Sequence, residues 1–133
     1  MIKEHKENLK MLADYLLSGE LNASFDMMSY VGGYDDDYYD YMMNCGTVGC
    51  AVGHGPYAGI PKSKDEQWVS YCERAFGINQ FSYEFRWLFS SMWVNVDNSP
   101  EGAGMRILYF LKNGLPENFQ DQMTGSSDLC YLD

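Results

Sequence analysis

Apolar residues near the start of the chain recur at helical spacing. They share one face, while charged side chains occupy the positions between them. The apolar face comprises Leu9, Leu12, Ala13, Leu16 and Leu17. Gly19 follows at a position where glycine commonly ends a helix. The pattern predicts an amphipathic helix that starts near the N-terminus and stops before Gly19.

Two later segments carry helix start signals. Ser63-Lys64-Asp65-Glu66 matches a capping box, in which the serine hydroxyl and the glutamate carboxylate accept from backbone N–H groups. The apolar face after it comprises Trp68, Cys72, Ala75 and Phe76. Ser99-Pro100-Glu101 offers an N-cap residue, a proline at the first helical position and an acid in the first turn. We expect helices after both signals, with Gly114 ending the second.

Residues 81–96 fit two patterns. Phe81 to Trp87 alternate between apolar and polar residues as a strand does, yet Phe81, Phe85, Leu88 and Phe89 also share a helical face. The sequence therefore predicts a mainly α protein with a possible small β-hairpin over 81–96, which would make the class α+β. At 133 residues the chain fits a single compact domain, with an acidic C-terminal tail over 117–133.

Charge is distributed unevenly along the chain. The net charge is −10, and no Lys or Arg occurs between Lys10 and Lys62. Four tyrosines and four aspartates lie together within that interval. These residues are Tyr34, Asp35, Asp36, Asp37, Tyr38, Tyr39, Asp40 and Tyr41. Clustered aspartates oppose burial, so we expect an exposed loop, or alternatively a frayed helix, over 34–41.

The acidic loop indicates a partner class. A negative surface repels phosphate backbones, which argues against direct nucleic-acid binding. Carboxylates complement Lys and Arg, and tyrosine rings supply rigid contact area, so the loop favours a basic protein partner. Carboxylates can also stand in for phosphates, and rings for bases, in a groove that normally takes nucleic acid. The alternative is a solvated loop without a partner.

Cysteine and histidine concentrate in the stretch from Cys45 to His54. Thr47 is placed to cap a short helix that runs through Cys50 to His54, which would put those two side chains on one face. With Cys45, and with Cys72 or Cys130 as the fourth ligand, they form a candidate zinc site. Cys45, Cys50 and His54 are alternatively weak catalytic candidates, with a cysteine nucleophile and a histidine base. The third interpretation, which we favour, is that they are buried packing residues beside glycines.

Other functional signals are few. The chain lacks the phosphate-binding, zinc-protease and serine-hydrolase motifs, and no cofactor is indicated. It also lacks a signal-peptide core and a stretch long and apolar enough to span a membrane, which favours a cytoplasmic protein. The sequence thus leans away from an enzyme. A further alternative, a protein that sequesters a small ligand, rests on the aromatic content of 16%.

Several stretches resemble a family of small uncharacterised proteins of bacteria and their phages with a Cys-Gly-Thr-x-x-Cys-x-x-Gly motif. The most specific stretch is Cys45-Gly46-Thr47-Val48-Gly49-Cys50-Ala51-Val52-Gly53-His54. Asn8 to Ala13, Phe25-Asp26-Met27 and Ser99 to Ile107 also carry the resemblance. The resemblance implies a phage or prophage product in the bacterial cytosol. By analogy, such a protein would inhibit a host defence or replication protein.

Overall fold

The computed structural model describes residues 1–21, 24–25, 27, 48–49 and 51–132 of the chain. Within these ranges the α-helices are α1 (Lys3–Leu17), α2 (Trp68–Phe76), α3 (Tyr83–Phe89), α4 (Pro100–Asn113) and α5 (Phe119–Met123). Short 3-10 helices cover Val52–His54, Pro56–Ala58, Ser91–Asn95 and Cys130–Leu132. The prediction of a mainly α protein is confirmed.

Helix α1 packs against α4 in the centre of the molecule. Leu9, Leu12, Ala13 and Leu16 are completely buried, as the sequence pattern predicts. Each buried leucine contributes about 1.5–3 kcal/mol relative to an exposed one. On α4, a β-carbon at Gly104 would lie 2.7 Å from Leu17 Cγ and 3.1 Å from the Ala13 carbonyl oxygen. The glycine therefore lets the two helix backbones approach closely.

The predicted signals at the ends of α1 and α4 are present in the structure. Gly19 follows the last turn of α1 with a φ of 76°, in the left-handed region that glycine adopts most readily. Ser99 Oγ accepts from the Gly102 backbone N–H at 2.9 Å, and Pro100 is the first residue of α4. Such an N-cap typically stabilises a helix by about 1 kcal/mol.

Helix α2 begins at Trp68, four positions later than the capping-box pattern predicts. Glu66 does accept from the Ser63 N–H at 3.2 Å, which is one half of the predicted box. Its carboxylate also receives two hydrogen bonds from Arg74, at 2.6 and 2.8 Å. Arg74 donates to the Pro61 carbonyl as well, at 2.9 Å. Glu66 thus ties the preceding loop to α2 from outside the helix.

The possible β-hairpin over 81–96 is wrong. Residues Tyr83–Phe89 form α3, and Ser91–Asn95 form a 3-10 helix. Serines start both elements: Ser82 Oγ accepts from the Phe85 N–H at 3.1 Å, and Ser90 Oγ accepts from the Met92 N–H at 3.0 Å. The two caps stabilise helical turns and leave no long extended segment to pair.

A short strand pair joins two distant parts of the chain. Strand β1 (Ser24–Phe25) runs parallel to β2 (Val48–Gly49), with Ser24 opposite Val48 and Phe25 opposite Gly49. The helix predicted to follow Thr47 and run to His54 is wrong in its first part, because Val48–Gly49 form β2. In the described part of this stretch only the 3-10 helix Val52–His54 is present, and Cys50 lies outside the described residues.

The C-terminal segment 117–133 packs against the core in its described part. Phe119, Met123 and Tyr131 are buried, while Glu117, Asp121 and Asp128 are exposed. The acids of the predicted tail therefore lie on the outer side of a folded segment. Throughout the described ranges, each helix is too short or too polar to cross a membrane.

Candidate functional site

Two groups of predicted site residues stand differently in the structure. The acidic loop from Tyr34 to Tyr41 lies outside the described residues, as do Cys45 and Cys50. His54 and Cys72 are described, and both are buried. The predictions for the loop and the two cysteines remain predictions.

Specific contacts hold the chain on either side of residues 28–47, which lie outside the described ranges. The β1–β2 pair brings Phe25 and Gly49 together as partners. Met27 is completely buried, and its backbone N–H donates to Asn98 Oδ1 at 2.7 Å. Adjacent strands are separated by only about 4.8 Å. The described residues before and after the interval 28–47 are therefore neighbours, since β1 and β2 are paired.

The His54 ring packs against three aromatic rings, one of which belongs to β1. Its ring is stacked on Phe25, with centroids 5.7 Å apart and an interplanar angle of 29°. The Tyr15 and Tyr57 rings pack at 5.9 and 6.0 Å. The His54 side chain is completely buried, while Tyr57 remains exposed. These contacts make His54 a packing residue that connects α1, β1 and the 3-10 helices.

The glycine after His54 also packs closely. A β-carbon at Gly55 would overlap the Tyr71 hydroxyl, so only glycine fits against that ring. Tyr71 is itself fixed, because its hydroxyl donates to the Ile60 carbonyl at 2.5 Å. Among the described residues, no cluster of three or more His, Cys, Asp or Glu side chains could hold a metal ion. The described end of the Cys45–His54 stretch therefore has the geometry of close packing.

The two bases that border the acidic interval are engaged within the chain. Lys10 Nζ lies 2.6 and 2.7 Å from the carboxylate oxygens of Asp14. Lys62 Nζ lies 4.8 Å from the centroid of the Trp68 ring and donates to the Ser63 carbonyl at 3.1 Å. Both positive charges are thus already met by nearby groups.

A buried charged network, not predicted from the sequence, lies on the C-terminal side of the protein. Arg106 is completely buried, with its guanidinium carbon 4.0 Å from the Trp93 ring centroid. Its Nη1 donates to the Tyr131 hydroxyl at 2.9 Å and lies 3.5 Å from Asp97 Oδ2. Burial lowers the pKa of the Arg106 guanidinium below its usual range. One signal for this network was available: Arg106 falls between Ala103 and Ile107 on the apolar face of α4.

The described residues also line two surface grooves, which bear on the small-ligand alternative. One has a volume of about 410 Å³ and includes His5, Glu84 and Phe110, and the other has about 510 Å³ and includes Met92 and Met123. The first groove also includes the Ser82 hydroxyl, which already donates to the Asn79 carbonyl and accepts from the Phe85 N–H, and the second has no ionisable side chain among the described residues that line it. The grooves therefore indicate no particular ligand.

Comparison with known proteins identifies no relative. No protein-family model matches the chain, and no curated protein or solved structure matches it. The resemblance to the family of small bacterial and phage proteins stays a hypothesis that rests on the sequence.

Proposed function

We propose that this protein is a non-enzymatic acidic binding protein that contacts a basic surface on a protein partner. The contact segment is Tyr34 to Tyr41, and the setting is the bacterial cytosol. The proposal rests on one observation: four aspartates and four tyrosines lie together in an interval without a single Lys or Arg. Such a segment combines negative charge with aromatic contact area, the two properties that recognise Lys- and Arg-rich surfaces.

The contacts of four Lys and Arg side chains in the described structure support the proposal. Lys10 and Lys62, which border the interval, are committed to Asp14 and to the Trp68 ring. Elsewhere Arg74 is bound to Glu66, and Arg106 is buried beside Asp97. These four of the nine Lys and Arg side chains already contact groups of the chain itself, which favours a partner as a source of positive charge for the aspartates.

The strand pair supports the proposal through geometry. Because β1 and β2 are neighbours, the segment between them begins and ends at one place on a packed scaffold. Recognition segments commonly connect rigid elements in this way. The buried ring of His54 and the close contact between Gly55 and Tyr71 give the scaffold at this place little freedom to rearrange.

The chemistry of the segment suggests the kind of surface it meets. Carboxylates placed along a basic groove substitute for phosphates, and tyrosine rings substitute for stacked bases. The partner would then be a nucleic-acid-binding protein whose site is blocked. The resemblance to phage proteins extends this to a host defence or replication protein, and makes the protein an inhibitor.

The test compares two variants that carry the same charge. The first changes Asp35, Asp36, Asp37 and Asp40 to Asn, which moves the net charge from −10 to −6. The control makes the same change elsewhere, on exposed acids in the described structure. Its substitutions are Glu20→Gln, Glu117→Gln, Asp121→Asn and Asp128→Asn.

The unchanged protein is used to capture partners from a bacterial lysate. The affinity of each purified partner for the unchanged protein and for both variants is then measured against salt concentration. Four surface ion pairs at about 0.4 kcal/mol each correspond to roughly ten-fold weaker binding for the first variant. We expect that loss, a reduced salt dependence, and near-normal binding by the control. Equal binding by both variants, or partners without a basic surface, would contradict the proposal.

A further inference from the structure

The C-terminal 3-10 helix inserts one side chain deep into the protein. Tyr131 is 2% exposed, and its ring packs edge-on against Trp87 and Trp93, with centroids 6.0 and 5.9 Å away. Its hydroxyl donates to Asp97 Oδ2 at 2.8 Å and accepts from Arg106 Nη1 at 2.9 Å. Burial raises the pKa of Tyr131, so the phenol keeps the proton that it donates to Asp97.

The contact matters because Arg106 has few other hydrogen bonds. The Nε and Nη2 atoms of this buried side chain have no hydrogen-bond acceptor in the described structure. Its Nη1 atom is bound by the Tyr131 hydroxyl and lies near Asp97. A buried cation without partners is strongly unfavourable, so Tyr131 is required where it lies.

Asp97 belongs to a turn that makes two further contacts. Its Oδ1 accepts from Ser99 Oγ at 2.6 Å, and Ser99 caps α4 through the Gly102 N–H. Between them, Asn98 Oδ1 accepts from the Met27 N–H at 2.7 Å. One turn of three residues therefore binds the C-terminus, the start of α4 and the backbone just after β1.

We infer that the C-terminal 3-10 helix Cys130–Leu132 is a latch that holds the Asp97–Ser99 turn and, through Asn98, the position of the backbone at Met27. When Tyr131 is inserted, its hydroxyl binds Asp97 in this turn, and Asn98 in the same turn accepts from the Met27 N–H. The link between the latch and Met27 stands on the described contacts alone. Its consequence for partner binding rests on the proposed function, because the chain proceeds from Met27 towards Tyr34.

The experiment measures hydrogen exchange of the Met27 amide by NMR in three variants of the full chain. Tyr131→Phe keeps the ring and removes the hydroxyl. Leu132→Ala is the matched control, since Leu132 is in the same turn and is 62% exposed. Asn98→Ala removes the acceptor and shows what direct release of Met27 looks like. The amides of Leu12 and Ala13 in α1 report global unfolding.

Tyr131→Phe removes two hydrogen bonds, of which the one donated to Asp97 holds the turn. We expect the loss of that bond to accelerate exchange at Met27 by about ten-fold, which corresponds to roughly 1.4 kcal/mol. The α1 amides should change less, and Leu132→Ala should leave Met27 unchanged. If Met27 accelerates only in proportion to Leu12 and Ala13, or not at all, Tyr131 merely stabilises the whole fold and the latch is refuted. The readout needs no partner, so failure of the proposed function would leave this result standing.

Discussion

Asp97→Asn should destabilise the protein more than Arg106→Met, although both remove the same ion pair. The two partners are unequally exposed: the Arg106 side chain is 0% exposed and that of Asp97 is 16% exposed. After Asp97→Asn, a guanidinium that stays protonated is left buried without a carboxylate. After Arg106→Met, the remaining carboxylate is reached by water and still accepts from the hydroxyls of Ser99 and Tyr131.

The structure sets the expected magnitudes. Stranding a buried charge costs about 3–5 kcal/mol, which is the expected loss for Asp97→Asn. Arg106→Met replaces the cation by an apolar side chain and should cost about 1–2 kcal/mol, mainly from the unmade hydrogen bonds. The double variant should resemble Arg106→Met alone, because no buried cation remains. A difference of about 2 kcal/mol corresponds to roughly 8 °C in Tm for a domain of this size.

Urea denaturation followed by tryptophan fluorescence measures these values, since Trp87 and Trp93 are both buried beside the network. The free energy of unfolding of the four proteins forms a double-mutant cycle. Equal losses for the two single variants, or a double variant less stable than Asp97→Asn, would refute the assignment of Arg106 as the vulnerable partner.

Three further outcomes follow from the described contacts. Gly55→Ala should lower the free energy of unfolding by about 1–3 kcal/mol, because the new β-carbon overlaps the Tyr71 hydroxyl. Tyr71→Phe should cost less in the Gly55→Ala background than in the unchanged protein, and thermal unfolding of the two single variants and the double variant measures both effects. The Arg74 hydrogen bonds lower the pKa of the Glu66 carboxyl. Their stabilisation of the fold is therefore fully present above the ordinary pKa of 4.5, and it is lost as the pH falls through the lowered pKa of the folded state. The Tm difference between the protein and Glu66→Gln should therefore shrink from pH 7 to pH 3, and a constant difference would contradict this. We also expect protein purified without chelator to contain far less than one zinc per chain by elemental analysis, since the His54 ring packs among aromatic side chains. Stoichiometric zinc would contradict this and favour the alternative of a zinc site.

Local signals in the sequence were sufficient for the best-predicted helices. The apolar spacing of α1 matches its buried face, and Ser99 caps α4 where the pattern places it. These features depend on neighbours within one or two turns, which a single sequence displays. Residues 83–89 were ambiguous because the apolar side chains fit both periods. The Ser82 hydroxyl favours the helix because it accepts from the Phe85 N–H. Apolar periodicity considers only the spacing of apolar residues and therefore does not include this cap.

The buried network was harder to foresee because its partners are distant in the chain. Arg106 binds a tyrosine 25 positions away, and that tyrosine binds Asp97 at a separation of 34. An arginine on the apolar face of a helix predicts some buried partner without naming it. By contrast, the bordering pairs Lys10–Asp14 and Lys62–Trp68 are local, and the first has the i, i+4 spacing of a helical ion pair.

The close approach of α1 and α4 has a consequence for finding relatives of this protein. A β-carbon at Gly104 would meet the Leu17 side chain and the backbone carbonyl of Ala13, so a chain that keeps this close helix pair is restricted to glycine at position 104. Surface positions around it are free to diverge. A search that requires glycine at this position, together with the N-cap serine at 99, would detect distant relatives even where overall identity is low.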